Sequence, residues 1–133
     1  MSLTEKEEVF EGRMIGGCID ILVSLVGTKF DNVENFIEKY KDDGIIWYFD
    51  NCELNSCALY RALFQLKEAN WFKYVKGFII GRNGSSFEPL NYTFKQALID
   101  SLSEYNVPVI EDAAESLGAT YKGKLVATFL HLM

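Results

Sequence analysis

Apolar positions along the chain predict helices and strands in alternation. Between Gly16 and Val26, the residues Ile19, Leu22, Val23 and Val26 recur on one helical face, and Gly27 follows as a terminator. A second helix is predicted over Asn32–Lys41, with Val33, Phe36, Ile37 and Tyr40 on its buried side. Asp31 and Glu34 have the spacing of a capping box at its start. After Gly44 comes the unbroken apolar run Ile45 to Phe49, the pattern of a strand covered on both faces. A third helix is predicted from Asn55 to Ala69 on the stripe Leu59, Ala62, Leu63 and Leu66. A strand from Tyr74 to Ile80 follows, ended by Gly81 and the polar turn Asn83-Gly84-Ser85-Ser86. Thr93 and Gln96 fit a capping box for a fourth helix, Phe94 to Tyr105, and Val107 to Ile110 reads as a short strand. The expected fold class is therefore α/β: one domain with a small, partly parallel sheet flanked by helices.

Composition narrows this picture. The chain has 133 residues, of which 49% are hydrophobic and 14% aromatic, so it is long and apolar enough to bury one core. Trp47, Trp71, Tyr74 and Phe78 are read as core residues. No apolar run approaches the ~20 residues of a membrane-spanning helix. A net charge of −6 argues against nucleic-acid binding, because an acidic surface repels phosphate. The nearest thing to a basic patch, Lys73, Lys76 and Arg82, is read as a solvated face. Cys18, Cys52 and Cys57 are odd in number and lack the spacing of a metal site. Together with an N-terminus that has no apolar signal core, they suggest free thiols in a reducing cytoplasm. Residues 1–10 are read as a frayed leader.

In parallel sheets, ligands bind beyond the carboxyl ends of the strands. Those ends carry Asp50-Asn51, Arg82-Asn83 and Glu111-Asp112. Asp50 is a candidate to orient a histidine, or alternatively a turn residue. Gly16 and Gly17 precede a predicted helix, whose backbone N–H groups can hold an anion; close packing is the plainer reading. His131, the one histidine, stands near the end of the sequence with no evident partner, and Ser85 and Ser86 have nothing nearby to activate them.

Four stretches resemble the C-terminal domain of the LD-carboxypeptidase family, which includes the microcin-immunity peptidases. They are Glu11 to Asp20, Leu25-Val26-Gly27-Thr28, Gly44 to Asn51, and Tyr60 to Lys67 with Gly77 to Arg82. The resemblance runs from Glu11 to Ile110 and implies a swivelling β/β/α domain. It also implies a two-domain serine hydrolase acting on peptides with a free carboxylate, of cell-wall tetrapeptide or microcin type, without metal or cofactor. Members of the family usually pair as dimers, so a homo-oligomer is expected here, with no nucleic-acid or membrane partner. In the family the first domain carries the nucleophilic serine, and the second supplies a glutamate and the histidine of a Gly-His pair.

This chain departs from that pattern. Asp50 stands where the family has glutamate, and no Gly-His occurs near Leu117 and Gly118. The sequence also starts where the family's second domain starts. The expectation is a fragment that is inactive alone, or else a non-catalytic oligomerising domain or a chimera. Residues 111–133 are read as a divergent or foreign tail. Val109 to Lys124 resembles a segment of pyridoxal-phosphate sugar aminotransferases, in which the residue matching Asp112 would meet the pyridinium nitrogen. A native strand, turn and closing strand from Leu125 to Leu130 is one reading of the tail, and a junction is another.

Overall fold

The structure, a computed structural model, describes residues 10–111 together with 120–121 and 124–125. Its elements in chain order are β1 (Arg13–Cys18), α1 (Ile19–Leu25), α2 (Val33–Lys39), β2 (Ile45–Asn51), α3 (Ser56–Glu68), β3 (Val75–Asn83), α4 (Phe94–Leu102) and β4 (Val109–Glu111). A short antiparallel pair, β5 (Thr120–Tyr121) and β6 (Lys124–Leu125), completes the described residues. The predicted closing strand to Leu130 lies otherwise outside them.

Strands β1 to β4 form one sheet in the order of the chain, and every neighbouring pair is parallel. Parallel neighbours are joined by right-handed crossovers, so a sheet whose order follows the chain collects its helices on one face. Strand β2 shows the result. Ile45, Trp47 and Phe49 are buried on one side, whereas Tyr48 and Asp50 are exposed on the other. The register places Ile15 beside Trp47 and Trp47 beside Phe78. Below these rows lie Leu59, Leu63 and Leu66 of α3 and Ala97, Leu98 and Leu102 of α4. Asn70, with φ of 63°, terminates α3 in the left-handed conformation, and the chain then brings Trp71 and Phe72 into the same core.

The structure corrects four expectations. The first helix starts at Ile19, because Arg13–Cys18 is a strand. Two consecutive glycines carry no side chain to display a strand's alternation, so this strand left no period-two signal. Asp31 and Glu34 do not form a capping box: the Asp31 carboxylate accepts from the N–H of Val33 at 3.2 Å, and Asn32 is the cap residue. Tyr74 is not core; it takes φ of 61° in the turn into β3, with its ring partly exposed. Finally, β2 is not covered on both faces, since Tyr48 and Asp50 are exposed on the face away from the helices. The Thr93 cap does form, its hydroxyl accepting from the N–H of Gln96 at 3.0 Å.

Candidate functional site

The carboxyl ends of the strands bring Cys18, Asp50-Asn51, Asn83 and Glu111 to one edge. Buried Asn51 fixes the exit of β2. Its Nδ2 donates to the carbonyl of Leu54 at 2.9 Å and to Oδ1 of Asn83 at 3.0 Å, and its Oδ1 accepts from the N–H of Leu54 at 3.0 Å. Asn55 then caps α3 by accepting from the N–H of Ala58 at 2.9 Å. These bonds hold the turn rigid, so the residue before Asn51 has a fixed position.

That residue, Asp50, faces away from the helices and is exposed. Its carboxylate lies across β3, where a Cβ on Gly81 would come within 2.0 Å of its Oδ1. Gly81 therefore leaves the room that Asp50 occupies. Cys18, at the end of β1, is the register partner of Asp50.

Asp20, in the first turn of α1, reaches over to the same edge. Its carboxylate accepts from the N–H of Cys52 at 3.0 Å and of Glu53 at 2.8 Å, pinning the turn that follows β2. Partial burial pushes this carboxyl upward, but the two N–H groups and the Cys18 thiol outweigh it and hold the group below the usual carboxylate range. A carboxyl with a depressed folded pKa adds stability above its unfolded value of about 4, and that stability is lost as pH falls through the folded value. Asp20→Asn is expected to cost about 1–2 kcal/mol at pH 7 and to flatten the stability profile below about pH 4. Urea denaturation as a function of pH measures both.

Between these groups lie two thiols. Cys18 Sγ is 3.2 Å from Cys52 Sγ and 3.3 Å from Asp20 Oδ1. No local pattern pairs cysteines so far apart; the parallel pairing of β1 and β2 makes them neighbours. Asp20 was likewise missed, since its helical position reads as an ordinary first-turn acid.

The other predicted residues do not join this edge. Gly16 and Gly17 lie in β1, directly before Cys18, the cap residue of α1. Ser85 accepts from the N–H of Phe87 at 3.2 Å within its own turn. Lys73 pairs with Glu38 at 2.7 Å, and the stem of Lys76 lies over Gly44, so these lysines form no common patch. Ser56 and Ser101 are buried in the helix layer, out of reach of a substrate. Asp112, Leu117, Gly118 and His131 lie outside the described residues.

Residues 11–115 match the family model for the LD-carboxypeptidase C-terminal domain. The chain belongs to this family. Among solved structures, the muramoyltetrapeptide carboxypeptidase of Oxalobacter formigenes is similar over 80% of this chain and 35% of its own, with a TM-score of 0.59 and 24% identity. MccF in complex with glutamyl sulfamoyl guanosine is similar over 77% of this chain and 29% of its own, with a TM-score of 0.57 and 21% identity. These likenesses show the fold, and the chain spans about a third of the length of either protein. A stretch of 32 residues is 59% identical to a protein named as the pyridoxal phosphate-dependent aminotransferase EpsN, from Bacillus subtilis (strain 168). That stretch covers 8% of the aminotransferase, far too little to carry its fold.

Proposed function

We propose that this LD-carboxypeptidase C-terminal domain is the acid-bearing part of a serine hydrolase for peptides ending in a free carboxylate, and that the chain by itself does not turn over substrate. The observation that carries the reading is Asp50: an exposed carboxylate on a rigid strand end, where the resemblance places the family's glutamate.

A triad acid accepts a hydrogen bond from histidine and keeps the imidazole oriented; the histidine then activates the serine. Asp50 can play only the first of these parts. The sequence has one histidine, His131, and it lies outside 10–111. An aspartate also reaches one methylene less far than glutamate, and a misplacement near 1 Å costs roughly a hundredfold in rate. Related proteins supply the substrate class: one is named for muramoyltetrapeptide, and another was solved with glutamyl sulfamoyl guanosine.

The test is hydrolysis of an L,D-linked tetrapeptide by the purified chain, followed by release of the terminal residue. No release above the blank is expected, and no serine should be labelled by a fluorophosphonate probe. Turnover that disappears in Asp50→Ala would confirm the acid but overturn the inactivity.

A further inference from the structure

The structure assigns to Cys18, Asp20 and Cys52 a second role, as ligands of one thiophilic divalent cation of the zinc class. The three potential ligand atoms lie within 4.8 Å of one another. The two closer edges, 3.2 Å between the sulfurs and 3.3 Å from Cys18 Sγ to Asp20 Oδ1, are near those of ligands sharing one ion. Zinc binds thiolate at about 2.3 Å and carboxylate at about 2.0–2.2 Å, so small side-chain rotations seat an ion among them.

Three features beyond proximity support the assignment. The ligands come from three backbone positions held by the fold: the end of β1, the first turn of α1, and the turn after β2. The Asp20 carboxylate is oriented by the N–H groups of Cys52 and Glu53, as outer-shell bonds orient the carboxylates of metal sites. Those two bonds persist when the Cys18 thiol proton leaves, and the Oδ1 lone pair that received it turns to the cation. The surroundings also favour a cation. The carboxylate of Asp50, register partner of Cys18, stands at the same strand end. A cation that enters displaces the thiol protons. Sulfur ligands select zinc-like ions over magnesium or calcium. Cys52 is exposed, which leaves the fourth position open to water.

This assignment stands apart from the peptidase reading, since it needs neither a serine nor a histidine. The experiment titrates the reduced chain with Zn²⁺ against a chromophoric chelator, and with Co²⁺ to read thiolate-to-metal charge transfer. One equivalent is expected, with the charge-transfer band present. Cys52→Ser should abolish the band, and Cys18→Ser should do the same. Asp20→Asn should weaken binding about tenfold to a hundredfold. Cys57→Ser should leave binding unchanged, because that thiol lies instead near the carbonyl of Pro89, at 3.9 Å. If Cys18→Ser does not fold, exposed Cys52→Ser decides, with circular dichroism verifying its fold. The assignment is overturned by an absent band, by uptake that survives Cys52→Ser, or by a Cys18–Cys52 disulfide forming ahead of zinc uptake in glutathione buffer.

Discussion

Replacing Trp47 by alanine is expected to cost about 3–5 kcal/mol, which consumes most of the stability of a domain this size. The indole is fully buried and lies between two rings, Phe49 and Trp71, each 5.4 Å away and nearly parallel to it at 12°. Phe72 meets it edge-on at 6.0 Å. The cavity left by alanine is walled by strand and helix residues that are themselves packed, so little collapse is available to fill it. Trp47→Phe separates packing from polarity. It keeps a ring but removes the Nε1–H that donates to the carbonyl of Trp71 at 2.9 Å, leaving a buried oxygen without that donor. A loss of about 1–3 kcal/mol is expected for this change. Urea denaturation followed by circular dichroism measures both variants. A Trp47→Ala cost below 1 kcal/mol would mean that this ring cluster does not organise the core.

The strands and helices whose residues carry long side chains were legible from the sequence. Leu59, Ala62, Leu63 and Leu66 stand on α3 as a helical stripe because each must be buried, and burial of that stripe is what selects the helix. The apolar run of β2 predicts a strand, but not one covered on both faces: Tyr48 and Asp50 are exposed, and the face toward the helices holds Ile45, Trp47 and Phe49. β1 was not legible, because its central residues are defined by what they lack. The candidate site divides in the same way. Asp50 was visible as a polar residue directly after an apolar run, a property of neighbours in sequence. The Cys18, Asp20 and Cys52 cluster depends on which strands pair and in which register, and no local pattern encodes that pairing. Asn51 was seen only as a polar residue at the strand end, although it ties the exits of β2 and β3 together.

Gly16→Ala is the other substitution with a large expected effect, and it bears on the candidate site as well as on stability. A Cβ at this position would lie 1.8 Å from the carbonyl oxygen of Tyr48 and 2.8 Å from the first ring carbon of the same residue. The nearer obstacle is backbone of the adjacent paired strand, so no side-chain rotation relieves it; β1 and β2 must separate. A cost of about 3 kcal/mol or more is expected, at the upper end of overpacking. Gly27→Ala provides the contrast. Nothing lies within 4 Å of a Cβ there, and only its φ of +78° opposes a side chain, so about 1–2 kcal/mol is expected. Space rather than backbone strain thus sets the larger penalty. Cys18 lies two residues beyond Gly16 on the same strand, so parting the strands also withdraws it from Asp50, its register partner, and from Cys52. Thiol titration with a chromogenic disulfide should therefore show Cys18 reacting faster in Gly16→Ala than in the parent chain, while its rate in Gly27→Ala stays at the parent value. Equal rates in all three proteins would mean that the thiol pair does not depend on the β1–β2 register.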